Sequence, residues 1–169
     1  MTQEKLQLAI DDMLHILKAD KHCVDSYRAV SNVKSLRDYA IVLNRFRTEL
    51  RHQNFPTEEY MKKWFMEDLD EINKYGVYID QKGVRHEQNS FDVFAFGESE
   101  IMVVMNNVKH QHVIANNNSK INVVTCPHSV CFVQLKNNSE VSVMNTHKTA
   151  IVKIIDKRDN GKGKDNTND

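Results

Sequence analysis

The sequence predicts an α+β protein, in which an N-terminal region of about three helices precedes a short single-stranded parallel β-helix. Two observations carry this prediction. Apolar residues in the first part of the chain recur at helical spacing. From residue 98 onward the chain repeats every ten residues, with a valine in one column at Val103, Val113, Val123, Val133 and Val143. A fixed period indicates a structural unit that is copied and stacked, because each copy buries its apolar face against its neighbours.

The helical region opens with an amphipathic stripe over roughly residues 3–19. Its apolar residues follow one another at intervals of three or four, and they are Leu6, Ile10, Met13, Leu14 and Leu17. This spacing predicts a helix with one buried face. The stretch 23–32 is compatible with either a turn or a further short helix, and its pattern does not decide between them.

Two further helices carry start signals. Ser35 precedes Asp38 in a sequence like a capping box, in which aspartate replaces the usual glutamate, and the helix is expected to reach about His52. Thr57 is the N-cap expected for the third helix, because acidic residues follow it in the first turn, where the helix dipole favours them. Gly76 is well placed to end that helix.

The repeat region predicts coils of twenty residues, each with two short strands. Blocks of ten residues run from 98 to 157 without a gap, and alternate blocks match better than adjacent ones. Within a block the fourth and sixth positions are apolar between more polar neighbours, which is the period of a half-buried strand. These positions are the predicted core columns, and they include Ile101 with Val103, Ile121 with Val123, and Val141 with Val143.

Asparagines punctuate the predicted strands at 106–107, 116–118 and 137–138. They tolerate left-handed backbone angles and hydrogen-bond their own turns. Either they act only as turn formers, or the amides of Asn117 and Asn118 also pair with Asn137 and Asn138 one coil later. Residues 98–157 contain no glycine, whereas two-residue hairpins prefer Asn-Gly or Asp-Gly. The region therefore favours a parallel β-helix over an antiparallel meander.

The seventh position of each block is also apolar, although strict alternation turns it outward. Either the strand bends there, or the column is buried a second time against the N-terminal region or another copy of the chain. On the second interpretation the column is an interface. Its residues are Val104, Ile114, Val124, Met144 and Ile154.

The sequence divides into a helical domain (1–76), a linker (77–86), a β-helix repeat domain (87–157) and a tail (158–169). The tail has no large apolar residue and is expected to be disordered. The 23 basic and 23 acidic residues leave no global field that would attract nucleic acid or an anionic membrane. No apolar run approaches a membrane span and the N-terminus does not resemble a signal peptide, so the expected location is cytoplasmic.

Metal and catalytic chemistry are both disfavoured. The three cysteines are expected to be reduced. Six residues could be considered for a zinc site, but the repeat frame places them in different columns, so neither a metal nor another cofactor is expected. These residues are His110, His112, Cys126, His128, Cys131 and His147. No known catalytic motif is present, and the acidic residues at 67–71 are interpreted as a helix surface.

Three short motifs carry a resemblance to a group of proteins. They are Leu36-Arg37-Asp38-Tyr39, Asn54-Phe55-Pro56 and Gly76-Val77-Tyr78-Ile79-Asp80. Together with the Asn/Ser-punctuated repeat, they resemble small uncharacterised proteins of gut anaerobes, some of them carried by phages or mobile elements. The C-terminal blocks are similar to short β-helices of adhesin-like and polymer-forming scaffold proteins. The resemblance implies stacked coils that serve as rigid surfaces or assembly units, and it supplies no catalytic residue.

The predicted function is a non-enzymatic structural or protein–protein interaction module that self-associates or holds a protein partner. The alternative is a glycan-binding module, with Asn122, Gln134 and Phe132 as the polar and stacking face. A third possibility is a small hydrolase that uses residues at the junction between the helices and the β-helix.

Overall fold

The computed structural model describes residues 1–19, 24–48, 55–87, 89–106, 110–144 and 147–157. The chain forms two compact units. The first takes Met1–Ile79 and Asn89–Val93, and the second takes Asp80–Gln88 and Phe94–Asp169, as far as these ranges are described. The tail predicted to be disordered lies outside the described residues.

The first unit is helical. Its helices are α1 (Gln3–Ala19), α2 (Val24–Ser31), α3 (Leu36–Arg45), α4 (Glu58–Phe65) and α5 (Leu69–Ile72), with 3-10 turns at Met66–Asp68 and Asn73–Tyr75 and a short strand β1 at Val77–Ile79. Four of these helices have eight residues or more, whereas the sequence predicts about three. The additional helix is α2, which lies in the stretch that the sequence pattern leaves open.

Two helix ends differ from the prediction. Helix α3 ends at Arg45 with Phe46 as its C-cap, and the predicted end near His52 lies outside the described residues. The helix that starts after Thr57 is interrupted, because a 3-10 turn separates α4 from α5. Gly76 ends the second 3-10 turn with a φ of 79°, a left-handed conformation that glycine adopts without steric cost.

Both predicted N-caps are present. The Ser35 hydroxyl accepts a hydrogen bond from the Asp38 amide at 3.1 Å, and the Asp38 carboxylate accepts from the Lys34 amide at 3.2 Å. Thr57 accepts from the Tyr60 amide at 3.2 Å. These side chains satisfy amide groups that have no partner within the helix, which explains why the helices begin where they do.

The helical core combines the α1 stripe with an aromatic cluster. Leu6, Ile10, Met13 and Leu17 are buried, as the spacing predicts. The rings of Tyr39 and Phe65 lie 4.8 Å apart between centroids. Tyr60 is buried beside them, and its hydroxyl donates to the Ala9 carbonyl of α1 at 2.8 Å. This bond satisfies a polar group inside the core and ties α4 to α1.

The second unit is a parallel β-solenoid. Its strands are β2 (Val84–Glu87), β3 (Val93–Phe96), β4 (Glu100–Val104), β5 (His110–Ala115), β6 (Lys120–Val124), β7 (Val130–Leu135), β8 (Glu140–Met144) and β9 (Ile151–Asp156). Strands β2, β4, β6 and β8 are neighbours in one sheet, and β3, β5, β7 and β9 are neighbours in the other. Each coil gives one strand to each sheet, so these strands form four coils. The segment assigned as a linker contains β1 and most of β2.

The strand register confirms the twenty-residue coil. Glu100 pairs with Lys120, which pairs with Glu140, and His110 pairs with Val130. The predicted core columns are buried in the inner coils, where Ile101, Ile121 and the valines of the sixth column are almost fully inaccessible. Each coil therefore buries its apolar residues against the coils before and after it.

One corner of the solenoid repeats its backbone conformation. Gly97, Asn117 and Asn137 have φ values of 65°, 57° and 54°, which is the left-handed region that asparagine tolerates better than most residues. The Asn138 amide donates to the Asn118 side-chain oxygen at 3.2 Å, so these two asparagines pair between coils as well as forming turns. Serines that follow this position, Ser99, Ser119 and Ser139, donate to a carbonyl three residues earlier.

Candidate interaction surface

The seventh column, which the sequence predicts as an interface, is divided between the two sheets. Val104, Val124 and Met144 are register partners on β4, β6 and β8. Ile114 lies on β5, in the other sheet, where its register partner is Gln134. The five predicted interface residues therefore do not form one stripe.

Ile154 does not belong to this column, which corrects the prediction. It pairs with Val133, a residue of the sixth column, and Ile155 takes the place expected for Ile154. The cause is a step of 21 residues between β7 and β9, since Val130 pairs with Ile151. Turn hydrogen bonds make His147 the counterpart of Cys126, so the additional residue lies between Met144 and His147.

Exposure along the column differs from coil to coil. Val104 is 8% exposed and Ile114 is 9% exposed, whereas Met144 is 45% exposed. The eighth-column residues Met105 and Ala115 are buried again, so the alternation continues and the seventh column belongs to the outward face of each sheet. Among the described residues of this column, Met144 in the last coil is the one large apolar side chain that is exposed to solvent.

The last coil also exposes residues of the core columns. Val141 and Val143 are half-buried, although their register partners Ile121 and Val123 are almost completely buried. On β9, Ile154 is 47% exposed although its partner Val133 is fully buried. Strands β8 and β9 end their sheets, so these side chains have a neighbouring coil on one side only. The feature of the sequence that indicates this surface is the position of β8 and β9 in the last repeat.

The residues proposed for glycan binding do not gather on one face. Asn122 lies on β6, whereas Phe132 and Gln134 lie on β7 in the other sheet. The Phe132 ring stacks on His112 with centroids 5.0 Å apart and planes inclined by 16°. One flat face of the ring is therefore covered by its neighbour in the column and cannot stack on a sugar. Gln134 is buried.

The structure places the cysteines and histidines of the repeat region on different strands and turns. Burial raises the pKa of the Cys131 thiol to about 12, which keeps it protonated and a poor metal ligand. The Cys126 thiol lies 3.7 Å from the Pro127 carbonyl, and His147 Nδ1 lies 3.0 Å from the Thr149 hydroxyl. Within the described ranges, no group of three His, Cys, Asp or Glu residues could hold a metal ion.

The acidic residues near the end of the first unit form ion pairs. Lys5 Nζ lies 2.8 Å from a Glu67 oxygen and 3.0 Å from an Asp68 oxygen. The hydrogen bonds to Glu67 and Asp68 raise the pKa of Lys5. The Glu67 side chain is largely exposed, as in an ordinary surface pair, so this carboxylate has no cleft in which to act as a catalytic acid.

A buried histidine occupies the core column of the first coil. His86 on β2 pairs in register with Val103, and it is 3% exposed. Burial lowers the pKa of His86 to about 4, partly offset by the neighbouring Glu87. The imidazole is therefore neutral at pH 7, and the residue contributes to the core rather than to surface chemistry.

No protein-family model, curated protein or solved structure matches this chain. The resemblance to proteins of gut anaerobes and to scaffold β-helices therefore stays a prediction. In the part of the chain that the structure describes, no helix is both long enough and apolar enough to cross a membrane.

Proposed function

We propose that the chain is a non-enzymatic structural or protein–protein interaction module that self-associates through its solenoid unit. The proposal rests on one observation. Among the described residues of the second unit, the exposed large apolar side chains are Met144, Ile151 and Ile154, and all three lie in the last coil. Scattered exposed apolar residues are normal on a protein surface, whereas a concentration of them at one place is typical of an interaction site.

The solenoid supports this proposal because it is a stiff platform. Strands β4, β6 and β7 are each hydrogen-bonded to a parallel neighbour on both sides, and the core columns are closely packed. Residues of one column therefore keep fixed positions relative to one another. A preorganised surface loses little conformational entropy when it binds, so a modest apolar area can hold a partner.

Light scattering on the full chain over a dilution series tests this function. A mass that exceeds the 19.7 kDa of one chain at high concentration and falls on dilution would support self-association. The mass of a single chain at every concentration would refute the self-association and leave a different protein as the remaining candidate for this surface.

A further inference from the structure

We infer that the last coil is the interface of a two-fold dimer, in which β8 of one copy pairs antiparallel with β9 of a second copy. This inference rests on the proposed function, and it adds the surface, the partner and the register. Among the described strands, β8 and β9 each have a hydrogen-bonded neighbour on one side only. Such edges are templates for pairing with another chain.

The sequence after β9 does not continue the repeat. A further strand beside β8 would begin about twenty residues after Glu140 and would need apolar side chains in its core columns. The residues at that distance are Asn160-Gly161-Lys162-Gly163-Lys164, and the segment 158–169 includes no large apolar residue. This segment therefore does not supply a surface that matches the exposed apolar columns.

A second copy offers the same apolar columns and the same strand edges. Two-fold symmetry joins identical surfaces and closes the assembly at two chains, because each copy uses its one β8–β9 end in the contact. A two-fold axis perpendicular to the solenoid axis makes the strands that meet antiparallel. Antiparallel pairs are slightly more stable per residue than parallel pairs, which favours this contact between two short strands.

The sequences of β8 and β9 complement one another in one antiparallel register. With Val141 opposite Ile154 of the second copy, Val143 faces Val152, so core-column residues meet core-column residues. On the outward side the exposed Met144 then faces the exposed Ile151. Apolar pairs directly opposite one another are the contacts that stabilise an antiparallel sheet.

The charges agree with this register. Glu140 faces Ile155 of the second copy, and Lys153 and Lys157 lie two residues to either side of that position. Diagonal neighbours in a sheet are within reach of long side chains, so Glu140 lies between two lysines. Because the symmetry repeats the arrangement, the dimer gains two such clusters, and Lys153 faces the small Ser142.

The other two-fold arrangement pairs each strand with its own copy and fits less well. When the core columns of β9 are aligned with themselves, Lys153 faces Lys153 of the second copy, and like charges directly opposite one another destabilise a sheet. When β8 is aligned with itself, Glu140 faces Met144. Charge complementarity therefore favours β8 against β9.

Charge variants of the full chain test the register by light scattering. Met144→Lys and Ile151→Glu each place an unpaired charge in the interface, and each should raise the dissociation constant by about tenfold or more. In the double variant the new lysine faces the new glutamate of the second copy, so the double variant should recover most of the association. Leu8→Lys, at an exposed position of α1, is the matched control and should leave the dimer unchanged.

The outcomes separate this inference from the proposed function. Lys153→Glu is a further variant at an exposed site, and it should also weaken the dimer because it places like charges near Glu140. Dimers that resist Met144→Lys, Ile151→Glu and Lys153→Glu would overturn the inference while self-association stands. Tighter association of Met144→Lys would instead indicate β8 paired with itself and would refute the register. A wild-type chain that is monomeric at all concentrations would overturn the dimer altogether.

Discussion

Replacement of His86 by valine should remove a pH-dependent loss of stability from the solenoid unit. His86 occupies the core column in which later coils have Val103, Val123 and Val143, so a valine side chain suits this apolar site. In the folded protein the pKa of His86 is lowered to about 4, whereas a histidine in the unfolded chain has a pKa of about 6.5. The unfolded chain therefore binds a proton between these two values that the folded chain does not.

The sign and size of the pH effect on stability follow from this difference in pKa. A lowered pKa in the folded state means that the contribution of His86 is intact above pH 6.5 and is lost as the pH falls toward 4. Between pH 7 and pH 5 the free energy of unfolding should fall by about 2 kcal/mol through this residue alone. The full loss, reached below pH 4, is about 3 kcal/mol for a pKa difference of about 2.5.

Urea unfolding followed by circular dichroism at pH 7 and pH 5 measures the effect. Between the two pH values, the free energy of unfolding of the wild type should fall by about 2 kcal/mol more than that of His86→Val, because all other titrating groups are shared by both proteins. Val123→Ala, which changes the same core column without changing a titratable group, is the matched control and should keep the wild-type dependence. Equal pH dependence of the wild type and His86→Val would refute the assignment of a buried, neutral His86.

Three further substitutions test the fold by urea unfolding. Val123→Ala should lower the free energy of unfolding by about 2–3 kcal/mol, because it removes buried methyl groups and leaves a cavity. Val124→Ala, in the half-buried outward column, should lower it by about 1 kcal/mol or less, and equal losses would contradict the column assignment. Asn117→Ala should lower the free energy of unfolding by about 1 kcal/mol because Asn117 has a left-handed backbone conformation, and Asn117→Gly should lower it much less. A smaller loss for the alanine variant than for the glycine variant would contradict that conformation. Tyr60→Phe should lower the free energy of unfolding by about 1 kcal/mol, because it removes the buried hydrogen bond from the Tyr60 hydroxyl to the Ala9 carbonyl. Unfolding followed by the fluorescence of the single tryptophan would show no loss if that bond were absent.

The solenoid could be predicted from the sequence because each coil repeats the same pattern of buried and exposed residues. The alternation of Ile121, Asn122 and Val123 requires a strand with one buried face, and the twenty-residue match of serines and asparagines identifies the corners. The left-handed residues at these corners follow the same period, since each coil makes the same turn. Local pattern and stacked structure agree, which is why the fold class is accessible from the sequence.

The candidate surface could be predicted only in part. A repeat written in one line places Val104 and Ile114 in one column, but the two strands of each coil belong to different sheets, so adjacent blocks never share a face. The additional residue before His147 could not be recognised either, because Ile154 and Ile155 are both apolar and either one fits the pattern. Exposure of the last coil arises because β8 and β9 end their sheets among the described strands, and the period within the repeat does not encode this.

The helical unit shows the limit of propensity arguments. Start signals such as Thr57 are reliable because a cap is a local hydrogen bond. The interruption at Met66–Asp68 and the early end of α3 have no such local marker, since the residues on either side are compatible with continued helix. Tertiary packing decides the end of a helix at such places.

Hydrogen exchange of the full chain as a function of concentration reports which strand edges are paired, and it therefore tests association through the last coil. The proposed dimer predicts that the protection of amides in β8 and β9 rises more with concentration than that of amides in α1 and in the inner strands β6 and β7. Exchange of β8 and β9 that does not change with concentration, or protection that rises only elsewhere, would contradict association through the last coil.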